Sequence, residues 1–433
     1  MSAATATGGG YKSSPSAKIT LGMLAFVYVL NFLDRQLISI LAKPIQDGLG
    51  ISDGQLGLLT GFYFALFYCF IAIPIGWLAD RTSRVKVLSA ACAIWSAATA
   101  ACGMAANYGQ LVVARMMVGV GEAGGVPPSY AIISDTFPRE RRTTAMAIFN
   151  LGPPIGSALG VAFGASLASA FDWRMPFYVI GAIGVFTALL VYWLVREPAR
   201  GETDTRPVAT VPEVPPEGFA ATILRFFRNP LLLMASLASG AGNFITYGLL
   251  NFTVLFLMRE KGMTLEDVAV WYALVVGIGM SAGIYASGRI VDHFARRSKT
   301  AYATVPAASL VLAMPFFVGF AWSPNWELAL AFLAVPMFLN SFFLSATVTF
   351  VQNEAAPERR VISGALLLLV MNFIGLGLGP TYVGMMSDFF RPTYGEHALQ
   401  AAYYALAPMY LIGALLFLWL AALIRRSERA SAS

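Results

Sequence analysis

The chain has 433 residues, 58% of them hydrophobic and only 12% charged, with a net charge of +6. A soluble domain carries about 25% charged residues, so the composition excludes an ordinary soluble enzyme and points to a membrane protein. Three cysteines without a CxxC spacing, and two histidines (His293 and His397) expected in loops, exclude a disulfide framework, a zinc site and a histidine-based catalytic or metal centre in the membrane.

In chain order, the first 18 residues read as a polar tail with no short apolar core and cleavage site, so no removable signal peptide is expected. Twelve stretches then follow that can cross a hydrocarbon core, which takes roughly 20 residues each. They lie near 19–41, 55–78, 85–106, 109–131, 142–170, 175–195, 230–258, 265–288, 300–320, 326–351, 360–385 and 399–424. None alternates with period two, so all are expected as helices. Between spans 6 and 7, "RGETDTRPVATVPEVPPEG" has the composition of a linker. "FAATILRFFR" after it places Phe219, Ile223, Phe226 and Phe227 largely on one face, as in a helix lying on a membrane surface.

The two halves repeat. "GWLADRTSRVK" after span 2 holds Gly76, Asp80 and Arg84 at intervals of four, and "GRIVDHFARRS" after span 8 holds Gly288, Asp292 and Arg296 at the same intervals. "SDTFPRERR" after span 4 is echoed by "NEAAPERR" after span 10. Such internal repeats mark transporter architecture. The expected fold class is an all-α membrane protein of twelve transmembrane helices in two six-helix pseudo-symmetric halves. Its expected parts are a tail 1–18, bundles 19–195 and 230–424, a linker 196–229 with its interfacial helix, and a tail 425–433. With both termini placed in the cytoplasm, 22 of the 29 lysines and arginines fall on the cytoplasmic side and 5 in outer loops. The positive-inside rule therefore predicts a multi-pass protein of the cell membrane with both termini cytoplasmic. Topology accounts for the basic charge, and no nucleic acid is expected as a partner.

Away from the span ends, four charges lie inside the membrane: Asp34 and Arg35 in span 1, Arg115 and Glu122 in span 4. Each costs about 2.5–3.5 kcal/mol at mid-membrane and needs a partner. At about 1.5 Å per residue, Asp34 and Arg35 stand roughly 22–24 Å above the start of span 1, level with Arg115, while Glu122 lies one to two turns deeper. The expectation is Asp34 with Arg115, and Arg35 reaching down to Glu122. In the crossed alternative Arg35 meets neither. The proton affinity of a buried carboxylate depends on how near its cation stands. Asp34 and Glu122 are thus the candidate proton-coupling residues, and Arg35 and Arg115 fixed charge partners or anchors for an anion. The alternative role is structural, locking span 1 to span 4. Tyr63, Asn243, Tyr247, Asn340, Ser341 and Asn372 are candidates for a substrate cavity, and helix–helix contact is the alternative for each polar side chain. "GVGEAG" at 119–124 lies within a span and follows no strand, and no Walker loop occurs, so neither nucleotide binding nor an ATP-driven pump is expected.

With its central loop and the Gly76–Asp80–Arg81–Arg84–Lys86 segment, the chain resembles the major facilitator superfamily. Ser83 stands where the superfamily pattern has Gly, and Val85 interrupts the basic pair. The resemblance implies gating by Gly76, Asp80, Arg81, Arg84 and Arg142, with Asp80 at the N-terminus of span 11, Arg84 and Arg142 in ion pairs across the cytoplasmic surface, and Asp292 and Arg296 in the same role against span 5. Within the superfamily, "NFLDRQLISIL", "ISDGQLGLLTGFYFALFY", "RMMVGVGEAGGVPPSY" and "FNLGPPIGSALG" resemble the spinster family, associated with export of sphingolipids and lysolipids. What this implies is a monomeric, proton-coupled transporter of an amphiphilic substrate, with protons and membrane lipids as its other partners and no cofactor. Proton symporters of small organic anions and sugar acids share the Asp-Arg pair and Glu-Ala-Gly, and give the second reading; a non-transporting receptor is the third.

Overall fold

The fold is described from a computed structural model covering residues 15–199, 219–355 and 360–432; the linker 200–218, the tail before residue 15 and the loop 356–359 lie outside the described residues. Among the described residues every expected span is helical and no strand occurs. Ten helices are long and apolar enough to cross a membrane by themselves. One of them, Ile362–Ala430, contains both span 11 and span 12, with a short turn at Gly395–His397 between them. Span 4 is not among the ten because it is broken into Tyr108–Glu122 and Val126–Thr136, each shorter than a bilayer core. With these two, the expected twelve are present.

The breaks recur in register between the halves. Span 2 is interrupted at Gly61, and span 8 carries a π-turn at Val268–Tyr272. Span 4 is interrupted at 123–125, and span 10 at Asn340 and Ser341. Span 5 is interrupted at Asn150 and Leu151, and span 11 has a π-turn at Phe373–Leu378. Glycine stands at or beside the breaks in spans 2, 4, 5 and 11 (Gly61, Gly125, Gly152, Gly379), where the backbone gains freedom. Broken helices at matching places in two repeats are the usual pointer to a transporter's binding site.

With twelve spans between them, the start of the first helix (Pro15) and the end of the last (Ala432) lie on one face of the bundle, here called the terminal face. At the opposite face the halves are sealed together. The carboxylate of Asp388, in span 11, accepts hydrogen bonds from Ser52 Oγ (2.6 Å) and from the backbone N–H groups of Asp53 and Gly54 (3.1 and 2.9 Å) at the start of span 2. Arg259, at the end of span 7, meets Asp53 at 2.7 Å, and Ser39 of span 1 donates to Asn251 of span 7 at 2.7 Å. The terminal face differs: Gly76 and Gly288, where the two repeat motifs begin, have no described residue within 4 Å of the place a Cβ would occupy.

Some local structure departs from expectation. Ala42–Leu49 forms a short helix on the opposite face, where a loop is expected, with Ile45 and Gln46 buried. His293 lies within the helix Ala273–Ala295 and not in a loop. Phe219–Arg228 is helical, with Phe226 buried and Leu224 turned outward.

Among the described residues, the partners of Arg84 lie on its own side of the linker. Arg84 is buried at the terminal face against Asp135, with its Nε 3.2 Å from Glu197 Oε1 and an Nη2 donating to Pro198 O at 3.0 Å. All these partners belong to the first half or to the start of the linker, because span 3 begins at Arg84 and its first turn faces the ends of spans 4 and 6. Burial would raise the Glu197 carboxyl. Hydrogen bonds from Ser83 Oγ, the Val85 and Arg84 N–H groups and the Arg84 side chain outweigh burial and hold it below the usual glutamate range. A depressed folded-state pKa contributes stability above the ordinary value and loses it as pH falls through the folded one. Glu197→Gln is therefore expected to melt below the parent at neutral pH, with the gap closing under acid; thermal melting of the purified protein across pH checks this.

Candidate functional site

The interior charges come together where spans 1, 2, 3 and 4 meet. Arg35 Nε donates to Glu122 Oε2 at 2.5 Å, so the expected reach from span 1 to span 4 is present. Glu122 ends the first segment of the broken span 4, and its side chain is wholly buried. The Arg35 guanidinium sits 4.9 Å from the ring centroid of Phe32, 5.2 Å from that of Phe64 and 4.7 Å from that of Tyr68, an aromatic cage suited to a cation. Tyr247, on span 7, adjoins Arg35 from the other half.

The expected Asp34–Arg115 pair is not formed. Span 3 presents Thr99, whose hydroxyl hydrogen-bonds Asp34 Oδ2, and Phe64 covers Arg115 with its ring centroid 4.5 Å from the guanidinium carbon. The two side chains remain electrostatic neighbours but make no ion pair within 4.0 Å. Height along the helices predicts a pair between spans 1 and 4, whereas spans 3 and 2 supply the nearest neighbours. Arg115 is only 3% exposed and makes no hydrogen bond to another described residue, and its Nε has no partner. A buried guanidinium with five N–H donors and no acceptor is costly by itself and suited to an anion. Glu122 Oε1 and Asn31 Oδ1 are also buried without a hydrogen-bond partner among the described residues.

Thr99 was not expected in the site, since a threonine in an apolar span carries no sequence signal of its own. Its Oγ1 lies 2.9 Å from the Trp95 carbonyl as well as against Asp34. A hydroxyl has one proton to give. With Asp34 ionised, Thr99 donates to one of two acceptors. With Asp34 protonated, the acid donates to Thr99 Oγ1, and Thr99 serves Trp95. By rotating its one proton, the Thr99 hydroxyl can hydrogen-bond Asp34 in either protonation state.

The cavity candidates separate. Asn243 donates to Met371 O at 3.1 Å, joining span 7 to span 11. Asn340 and Ser341 occupy the break in span 10; Asn340 Nδ2 donates to Tyr410 Oη at 3.0 Å, and its Oδ1 is buried without a partner among the described residues. Tyr63, on span 2, adjoins Tyr108, and Asn372, before the π-turn of span 11, is half-buried. Of the gating residues, the Asp80 side chain lies outside the described residues. Arg81 stacks on Trp77 at 4.1 Å, and Arg142 Nε donates to Phe137 O at 3.4 Å within its own half. Asp292 and Arg296 are exposed.

A fold of two broken-helix bundles around buried charges defines a membrane transporter and not an enzyme. The sequence pattern described as Major Facilitator Superfamily matches residues 24–380, and the chain belongs to that superfamily. It is 31% identical over 402 residues to an MFS-type efflux pump of Mycolicibacterium smegmatis, covering 93% of this chain and 91% of that one. It is 26% identical over 382 residues to the hexuronate transporter of Bacillus subtilis, covering 86% and 89%. Among solved structures it is similar to a bacterial homolog of the human lysosomal transporter Spinster in an inward-facing and unoccupied conformation. That likeness has a TM-score of 0.84 and 29% identity over 96% of this chain and 98% of that one. The resemblance to spinster proteins therefore holds across the whole fold.

Proposed function

We propose that the chain is a proton-coupled secondary transporter of an amphiphilic anion of the lysolipid class, working by alternating access in the cell membrane. The observation that carries this reading is Arg115, buried, stacked on Phe64 and without a hydrogen-bond acceptor among the described residues. It stands beside a carboxylate, Asp34, whose hydrogen bond fits either protonation state. In this reading the headgroup phosphate goes to Arg115, and the acyl chain lies against the second half, whose span interiors carry no charge. Arg35 links the proton to the substrate, because it holds Glu122 on one side and adjoins Tyr247 of the opposite half on the other. A change in how the halves meet at Tyr247 moves Arg35 relative to Glu122, and with it the proton affinity of Glu122. The terminal face is cytoplasmic, from the 22-to-5 distribution of basic residues. The bundles 19–195 and 230–424 are the moving bodies, and 196–229 joins them.

A second reading, symport of a sugar acid, is favoured by the likeness to a hexuronate transporter and by the fit of a guanidinium to a carboxylate. Binding to purified protein separates the two. Lysophosphatidylglycerol is expected to bind and to lose most affinity in Arg115→Ala, while glucuronate leaves the protein unchanged. Binding of glucuronate alone would replace the first reading by the second. Orientation has its own test. Cysteines placed at 205 and 395 are expected to label from opposite sides of the membrane, the former from the cytoplasm; same-side labelling would overturn the topology.

A further inference from the structure

The contacts between Asp388 and the start of span 2 join the two halves of a protein that must part them to work. Ser52 and Gln55 already form a capping box for the helix Asp53–Thr60. That box leaves the N–H groups of Asp53 and Gly54 to be satisfied from elsewhere, and the Asp388 carboxylate accepts from both. Around it the seal is continuous. Asp53, whose side chain is fully buried, receives Arg259 Nη1 and Nη2 at 2.7 and 2.8 Å, Ser387 Oγ at 2.6 Å and Gln46 Nε2 at 2.6 Å. Gly57 lets spans 2 and 11 close on each other: a Cβ there would stand 3.3 Å from the Cα of Gly384 and 2.5 Å from the Pro380 carbonyl oxygen.

The sequence repeats the device. The last helical segment of span 11, Gly379–Tyr394, carries Gly384-Met-Met-Ser-Asp388, with the same Gly-to-Asp spacing as Gly76-Trp-Leu-Ala-Asp80 at the end of span 2. Spans 2 and 11 run antiparallel, so each brings an aspartate near its C-terminal end to the level of the other's N-terminus, at opposite faces. We propose that Asp388 is the latch of the outer gate, holding the transporter closed on the face away from its termini by docking on the N-terminus of span 2. A carboxylate on backbone N–H groups at a helix start is a charge-assisted contact that strengthens as water is excluded. When the halves part, the carboxylate and both amides return to water, so the latch opens without leaving a buried charge. The assignment holds whichever substrate is carried and whether or not protons drive it.

The test reads the distance across this face. Spin labels at Asp47 and Glu396, one in each half and both exposed, are placed on protein whose three buried cysteines are replaced by alanine. The parent is expected to show mainly the short distance. Asp388→Asn, which keeps the shape and loses the charge, is expected to raise the ratio of long to short distances about ten-fold or more. Gly54→Ala is the second probe: its Cβ would lie 2.5 Å from Asp388 Oδ2 and displace the carboxylate, while alanine favours the helix itself. The same rise is expected there. Gly57→Leu, which wedges spans 2 and 11 apart, shows where the open distance lies. If Asp388→Asn and Gly54→Ala both keep the parent distribution while Gly57→Leu moves it, Asp388 is no latch and the proposal is wrong.

Discussion

Asp34→Asn is expected to abolish proton-gradient-driven transport while the protein still folds and binds substrate. Asp34 is 2% exposed, and among the described residues its carboxylate hydrogen-bonds Thr99. An asparagine keeps an acceptor for that hydroxyl and cannot take or release a proton, so local geometry survives and coupling does not. Because Asp34 forms no ion pair with Arg115, the substitution leaves no broken salt bridge, and the loss of stability is expected to be small, about 1 kcal/mol for one altered buried hydrogen bond. Thr99→Val should lie between parent and Asp34→Asn. It removes the hydroxyl that serves both forms of the acid, and so should move the pH at which flux is half-maximal without removing flux. Counterflow, which needs no gradient, should persist in Asp34→Asn. Flux and counterflow in proteoliposomes, with thermal melting, check these outcomes. An Asp34→Asn protein that still concentrates substrate against a pH gradient would end the coupling role.

The second large effect is on stability. Arg35 and Glu122 form a buried pair with side chains 9% and 0% exposed. Breaking such a pair from one side leaves an uncompensated charge and costs about 3–5 kcal/mol. Glu122→Ala is expected to show this as a large fall in melting temperature and poor monodispersity. Glu122→Gln should fall less, since the amide oxygen still accepts from Arg35. Replacing both residues with leucine should recover much of the stability, because two apolar side chains in an apolar site cost little, yet transport should remain lost. A double-leucine protein as unstable as Glu122→Ala would mean that the pair specifies the packing of spans 1 and 4 beyond its electrostatics.

Much of the fold is legible in the sequence because lipid leaves few choices. A span must be helical, apolar and about 20 residues long, so its extent shows in composition alone. Interior charges are equally visible, since each is expensive. The reach of Arg35 to Glu122 follows from helix register and a long side chain. The partner of Asp34 was less legible. Thr99 is one uncharged hydroxyl on a third helix, and helix neighbours are not encoded in span lengths. The Arg84 cluster illustrates another limit: a basic residue at a span end is ordinary, and which helix ends its first turn faces, here those of spans 4 and 6, is not encoded in span lengths. Asp53, Arg259 and Asp388 carry no sequence signal for the same reason. Each sits at a span end, where charge costs little in sequence terms, and their contacts with one another form only where the two halves meet. The breaks in spans 2, 4, 5, 8, 10 and 11 were partly foreshadowed by glycine and proline, but their match across the repeat became visible only with the helices in place.

The most direct measurement follows protons. Proteoliposomes of purified protein, loaded with a pH-sensitive dye and given lysophosphatidylglycerol or glucuronate, report whether substrate movement carries protons. Proton coupling through these carboxylates predicts a substrate-dependent proton movement in the parent that disappears in the Asp34→Asn/Glu122→Gln double variant, with the variant still folded by melting. Equal proton movement in parent and double variant, or parent substrate flux indifferent to collapse of the pH gradient, would contradict it.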